Sequence, residues 1–365
     1  SKMSQRYEDA INYWDGQAWG ARNHVAVAIN GSYVDQDGYP QSGQIISGWY
    51  AKRFDNLGGG SGFAWKLDRS AFIGGCVNHL PEKQYIQNIL TKETLEIAAV
   101  NRIREPEGLF LYTPQWGSNT GTSNVGVEVL VVYPGPRVFI QGYVREIRDR
   151  LGSTYIPFDH VVLSARGNTR ERLLQMLQIG DEIGINQEIT HYERDCQTRR
   201  SESWTTTYAG VSGDYVFLEN GNIRNFDDNA GATNRHPRTA IGYNDAYIYF
   251  VVVDGRQPET SIGMTIAELA TFARDTLGVA WGIALDGGGS STMVVNGIVK
   301  NHPSDPCNRI FLPVVGQERA GSARRIPAPP SPGAGHVSPT CERPVVNSMM
   351  MIVVEPKIQS ATFSP

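Results

Sequence analysis

The sequence predicts an α+β fold, with mixed twisted β-sheets and flanking helices in a single domain. Three observations support this. Short apolar, β-branched runs bounded by glycine, proline or asparagine recur along the chain. Two segments carry helical spacing together with cap residues. Strands and helices do not alternate regularly, as a doubly wound parallel sheet would require. The 365 residues, 40% of them hydrophobic, are enough for at least one large core and argue against a disordered chain.

Val25–Ile29 is an apolar run ending at the turn signal Asn30-Gly31. Leu95–Ile103 and Leu109–Tyr112 flank Glu-Pro-Glu-Gly, and Val127–Tyr133 and Val138–Val144 flank Pro-Gly-Pro. Tyr215–Leu218, Tyr247–Val253, Trp281–Leu285, Met293–Val295 and Met349–Val354 complete the predicted strands. Thr265-Ile-Ala-Glu268 is a capping box, followed by Ile266, Leu269, Ala270, Ala273 and Leu277 at helical spacing and closed by Gly278. Thr169 to Ile179 repeats the pattern, with Leu173, Leu174 and Leu177 on one face, and a third, weaker helix is expected after Pro81. Gln317 to Thr340, rich in Pro, Gly, Ala and Arg, reads as a loop within the domain, because a strand pattern resumes at Pro344.

Composition removes several functional classes. The 33 basic and 37 acidic side chains leave a net charge of −4, so binding nucleic acid by bulk charge is not expected. The longest unbroken apolar run, Ala246 to Val253, is far short of the roughly 20 residues a membrane helix needs, so no span is expected. Cys76, Cys196, Cys307 and Cys341 form no C-x-x-C pair. They read either as a disulfide framework, with Cys307–Cys341 across the Pro/Gly-rich loop first, or as buried thiols. The opening Ser-Lys-Met-Ser-Gln reads as a start without its leader, which points to a secreted or extracytoplasmic setting.

The sharpest local feature is Asp286-Gly287-Gly288-Gly289-Ser290-Ser291-Thr292 between two apolar runs. Consecutive glycines leave backbone N–H groups uncovered and allow positive φ, so the loop can form a concave nest for an anion, or simply a flexible turn. Asp286 would aim its carboxylate into that cradle. No G-K-[ST], G-x-S-x-G or G-x-G-x-x-G is present there. His236-Pro-Arg-Thr-Ala-Ile-Gly242 places Arg238, a planar donor fork suited to phosphate or carboxylate, before a buried strand pattern. Asp254-Gly255-Arg256 reads either as a catalytic carboxylate at a strand end or as a hairpin turn. Asn30-Gly31 carries the same ambiguity. The seven histidines form no H-x-x-x-H, so no zinc site is indicated. No cofactor is predicted, and a calcium site of Asp and backbone oxygens would leave no sequence signature.

In this order and spacing, the motifs resemble the phosphodiester glycosidase family. The stretches that carry the resemblance are Ala28-Ile-Asn-Gly31, His236-Pro-Arg-Thr-Ala-Ile-Gly242, Val252-Val-Asp-Gly-Arg256, Ser261-x-Gly-Met-Thr265, Leu285-Asp-Gly-Gly-Gly-Ser-Ser-Thr-Met293 and Arg343-Pro-Val-Val-Asn347. Asn101, Tyr112-Thr113 and Gly126-Val-Glu128 are weaker family features. The block 236–297 matches best, and the departures are the chain before Val25 and the insert between Leu312 and Glu342. The resemblance implies a catalytic domain over 25–356, with a loop insert at 317–341, an N-terminal extension at 1–24 and a tail at 357–365. It also implies hydrolysis of the bond between a sugar's anomeric carbon and a phosphodiester oxygen. Asp286 or Asp254 would be nucleophile or general base, with Glu128 as reserve carboxylate. Arg238 and the Gly287–Ser291 backbone (Gly287, Gly288, Gly289, Ser290, Ser291) would bind the phosphate. His236, Asn30, Thr292 and Asn347 would complete the pocket. The expected partner is a small carbohydrate or glycan-phosphate. Two other readings stay open: an exo-acting glycoside hydrolase or transglycosylase on a carbohydrate without phosphate, and a non-catalytic module binding an envelope polymer.

Overall fold

The computed structural model describes residues 23–33, 40–46, 48–54, 61–66, 70–132, 139–188, 190–192, 207–295, 298–306, 340–341 and 348–354. Within them the chain is predominantly β, more so than the α+β expectation. Strands assemble into sheets of eight, six, five, four and two strands, and the helices are few and short. All strand pairs are antiparallel except Ala99–Val100 beside Gly108–Tyr112. Some of these pairs are short hairpins, such as Arg238–Tyr243 with Ile248–Val253, and others join distant segments, such as Gln84–Asn88 with Glu182–Gln187.

The eight-stranded sheet runs, in spatial order, Thr94–Glu96, Gln84–Asn88, Glu182–Gln187, Phe139–Asp149, Val127–Val132, His160–Arg166, Gly108–Tyr112 and Ala99–Val100. Side chains alternate along it. Val127, Val129 and Val131, with Val161, Leu163 and Ala165, pack on Leu173, Met176 and Leu177 of the helix Asn168–Met176 and the residue after it. Leu130, Val162, Phe110 and Tyr112 face the other way, with Ile156. Glu107 caps the helix from outside: its carboxylate accepts from the Asn168 and Thr169 N–H groups, both at 2.8 Å. Those hydrogen bonds, together with one from the Thr169 hydroxyl, hold the carboxyl down at about 2.

The five-stranded sheet positions the site. Its order is Asn222–Ile223, Val216–Glu219, Trp281–Ala284, Arg238–Tyr243 and Ile248–Val253. One face carries Phe217, Leu218, Ala240 and Ala284 against Ile266, Leu269, Ala270 and Ala273 of the helix Ile266–Asp275. That helix starts at the capping box read from the sequence. The Thr265 hydroxyl accepts from Glu268 N–H at 3.0 Å, and the Glu268 carboxylate accepts from Thr265 N–H at 3.0 Å. The opposite face carries Val216, Ile241, Ile283 and Leu285 against Phe63, Ile73 and Val211 of the six-stranded sheet and Ile29 of the four-stranded one. The four-stranded sheet pairs Asn23–Asn30 with Met293–Val295 on one side and Ser348–Val354 on the other.

Two expected elements change. After Pro81 there is a single 3₁₀ turn, Pro81–Lys83, leading into the strand Gln84–Asn88. The run Leu95–Ile103 is broken into Thr94–Glu96 and Ala99–Val100, because Asn101 turns the backbone at φ +50. The Asn101 side chain ties that turn down, donating to Tyr50 O at 2.7 Å and to the Thr113 hydroxyl at 2.9 Å. The insert 317–341, apart from Thr340 and Cys341, the extension 1–22, the tail 357–365 and Cys307 with its proposed clip lie outside the described residues. No described helix is long and apolar enough to cross a membrane.

Candidate active site

Asn30 ends its strand fully buried and fastens three distant segments. Its Nδ2 donates to Asp286 O at 2.7 Å. Its Oδ1 accepts from the Thr239 hydroxyl at 2.8 Å and from Thr292 N–H at 3.1 Å. Gly31 O accepts from Asp286 N–H at 3.0 Å, and Thr239 O from Leu285 N–H at 2.8 Å. The Asp286 backbone is thus held on both sides, against Arg238–Thr239, while its side chain stays partly exposed. Through these bonds Asn30 positions the Asp286 turn.

The glycines after Asp286 are required by close approach more than by flexibility. A Cβ on Gly287 would stand 2.8 Å from Pro237 O. One on Gly288, at φ +65, would stand 3.0 Å from both terminal nitrogens of Arg256, and one on Gly289 would overlap the Asp305 carboxyl. The loop's N–H groups are also largely engaged. Gly288 donates to Pro237 O at 2.9 Å, Ser290 to Gly287 O at 3.3 Å and Ser291 to Gly288 O at 3.1 Å. With Thr292 bound to Asn30, the anion nest expected over Gly287–Ser291 is mostly closed by protein carbonyls. Ser290, Ser291 and Thr292 are all buried.

Arg238 is buried and donates through Nε to Met264 O at 2.8 Å and through Nη2 to Asn234 O at 2.7 Å. Its charge reaches a group that has no sequence motif: Asp214, Tyr215 and Tyr33. Asp214 N–H donates to Ala284 O at 2.9 Å, so Asp214 flanks the chain two residues before Asp286. Asp214 is open to solvent on one side. Even so, crowding by protein raises its carboxyl above the ordinary range, outweighing the Tyr215 hydroxyl and Arg238, which pull it down. The Tyr33 phenol is pushed up by burial and then by both Asp214 and Asp286, with Arg238 opposing. The charges of two carboxyls and one arginine therefore act on a single phenol. Tyr215 donates to Asn229 Oδ1 at 2.9 Å, which fixes the ring.

The remaining candidates fall elsewhere. The Asp254 carboxylate accepts from His302 N–H at 2.9 Å and from Asn301 Nδ2 at 3.0 Å, with His302 Nδ1 at 3.3 Å. Its carbonyl accepts from the Ser261 hydroxyl at 2.6 Å. This is the turn-fastening alternative: Asp254 holds the 301–302 corner, and Asn301 in turn donates to Ser291 O at 2.9 Å. His236 sits beside Arg256, Nδ1 to Nη2 3.5 Å. Burial lowers its imidazole below the ordinary range, and the charges of Arg238 and Arg256 lower it further.

Glu128 is not brought to this group. It lies fully buried in the eight-stranded sheet, opposite Ser164 and on the face away from the helix. It accepts from the hydroxyls of Thr122 at 2.8 Å, Ser164 at 3.0 Å and Thr120 at 3.1 Å, and from Thr154 N–H at 2.9 Å. Burial pushes its carboxyl up, but these donors outweigh it and the net shift is downward. Both carboxylate oxygens of Glu128 are thus taken up by protein donors. Asn347 lies outside the described residues. Among the described residues no three His, Cys, Asp or Glu side chains are grouped to hold a metal.

Residues 138–314, a little under half of the chain, match the family model described as phosphodiester glycosidase. Over that stretch the chain is similar to the phosphodiester glycosidases. The matched stretch holds Asp214, His236, Arg238, Asp254, Arg256 and the Asp286 loop, and leaves Asn30 and Glu128 outside. No curated protein matches. Among solved structures, a hypothetical protein from Synechocystis aligns at TM-score 0.51 and 17% identity, over 82% of this chain and 50% of that one. A candidate exported protein from Burkholderia pseudomallei aligns at TM-score 0.51 and 18% identity, over 84% and 65%. At these identities the likeness concerns the fold, and the chain spans only 50% and 65% of those two lengths. The zebrafish N-acetylglucosamine-1-phosphodiester alpha-N-acetylglucosaminidase catalytic domain, auto-inhibited by its pro-peptide, aligns at TM-score 0.25 and 15% identity, over 85% and 89%.

Proposed function

We propose that this phosphodiester glycosidase relative hydrolyses the bond between a sugar's anomeric carbon and a phosphodiester oxygen. One observation carries the reading: backbone hydrogen bonds bring Asp286 and Asp214 to the same end of the five-stranded sheet as Arg238–Thr239, Asp286 through Asn30 and Gly31 and Asp214 through Ala284. Glycosidic hydrolysis needs two carboxyl groups in opposite protonation states. Asp214, raised by the protein crowded around it although it also reaches solvent, holds its proton to higher pH than an ordinary aspartate. Asp286, fixed by its backbone with a partly exposed carboxyl, is the base or nucleophile.

In the overall step a water oxygen bonds to the anomeric carbon and the bond from that carbon to the phosphate oxygen breaks. The bonding pair leaves on phosphate, and a water proton passes to the Asp286 carboxylate. A phosphate monoester is a weak base, so the Asp214 proton is needed less than it would be for an alcohol leaving group. An extracytoplasmic glycan-phosphate suits this chemistry.

The test is a comparison of sugar release from glycosyl-1-phosphodiesters and from p-nitrophenyl glycosides. Preferential release from the phosphodiesters supports the proposal. Turnover of the plain glycosides alone would replace it with a glycoside hydrolase, and saturable binding without release would replace it with a binding module.

A further inference from the structure

The proposed reaction requires a group that grips the phosphate, and the sequence assigned that task to Arg238 and the glycine loop. The geometry points to Arg256 instead. Arg238 commits Nε and Nη2 to backbone carbonyls, and the loop N–H groups of Gly288, Ser290 and Ser291 are bound within the protein. Arg256 is differently placed. Its backbone adopts φ +58, a left-handed conformation that a long side chain rarely takes. From there the guanidinium lies along Gly288, both terminal nitrogens 3.0 Å from where a Cβ would be. A side chain at position 288, strained at φ +65, would also press on it.

Arg256 is also an exposed cation with no carboxylate partner among the described residues. Arg170, Arg235 and Arg274, by contrast, each pair with an aspartate or glutamate. The nearest acid in sequence, Asp254, is taken by Asn301 and His302. What Arg256 does meet is basic: His236 Nδ1 at 3.5 Å, and the charge of Arg238, which repels it. This arginine fork is pressed on glycine backbone with an imidazole and a second arginine behind it, and no carboxylate among the described residues is bound to it. We infer that Arg256 and His236 form the anion subsite and that its ligand is a phosphate group, held bidentately by the Arg256 fork. This rests on the phosphodiester reading for its place in the reaction, though not for the binding itself.

The test uses the full chain with inorganic phosphate as probe, titrated by calorimetry on wild type, Arg256→Gln and Arg256→Lys. In parallel, KM and kcat are measured on a glycosyl-1-phosphodiester. The inference predicts that Arg256→Gln weakens phosphate binding about 10–100-fold, the loss of a charge-assisted contact. Arg256→Lys should fall between the two because it keeps the charge and loses the fork. The circular dichroism spectrum should be unchanged, and KM for the phosphodiester should rise more than kcat falls. Equal phosphate affinity in wild type and Arg256→Gln, or no phosphate binding by wild type, overturns the inference. Turnover with an unchanged KM in Arg256→Gln leaves the phosphodiester reading standing and removes Arg256 from it. Phosphate binding lost in Arg256→Gln without turnover by wild type does the reverse.

Discussion

At the scale of single residues, the carboxylates separate by how they are satisfied. Glu128 accepts four hydrogen bonds in a buried pocket, and Asp254 is fastened to a loop corner. The Asp286 backbone is anchored by Asn30 Nδ2 and by Gly31 O, which fixes where its carboxyl starts. Asp254→Asn should therefore act mainly through the 301–302 corner, lowering the melting temperature along with activity. Asp286→Asn should act mainly on the chemical step, lowering kcat by about 10²–10⁴-fold. Glu128 also gives a pH prediction. Its folded carboxyl is depressed, so its stabilisation is full above the ordinary carboxylate range and is lost as pH falls through the folded value. Glu128→Gln should cost about 1–3 kcal/mol at neutral pH, since it confronts hydroxyl donors with an amide, and should flatten the loss of stability on acidification. Urea unfolding at neutral and acidic pH checks both; a parallel acid loss in the two proteins would count against this account.

At the scale of elements, the sequence was most legible where periodicity and caps coincide. Thr265 to Glu268 announced a helix start, and both reciprocal hydrogen bonds form. Thr265→Ala should cost about 1 kcal/mol, measurable as a lower unfolding midpoint. The run Leu95–Ile103 misled, because hydrophobicity does not reveal that Asn101 takes a left-handed turn held by Tyr50 and Thr113. The glycine loop was found, but the close packing that its glycines allow was not. Three glycines suggest open N–H groups, whereas here they admit Pro237, Arg256 and Asp305 at close range. Gly289→Ala should destabilise by about 1–3 kcal/mol, because the buried Asp305 carboxyl would have to move. Thermal unfolding unchanged from wild type would show that the loop tolerates a side chain there.

At the scale of the whole molecule, the site forms where the five-stranded sheet meets the end of the strand Asn23–Asn30, so it depends on contacts between residues more than 200 apart. That convergence was readable because Asn30, Arg238 and Asp286 each follow or open an apolar run beside a turn signal. Asp214 and Tyr33 were missed because neither belongs to a motif. Gly213-Asp214 immediately before the predicted strand at Tyr215 was the available signal, the same glycine–aspartate neighbourhood as at Asp254 and Asp286. The preponderance of antiparallel sheet was underestimated because two well-capped helices draw attention beyond their share of the chain. The most direct measurement of the central claim is turnover of a glycosyl-1-phosphodiester by wild type and by Asp286→Asn. The account predicts release of free sugar and phosphate monoester by wild type, and a rate lower by about 10²–10⁴-fold in the variant. Equal rates in the two would contradict it.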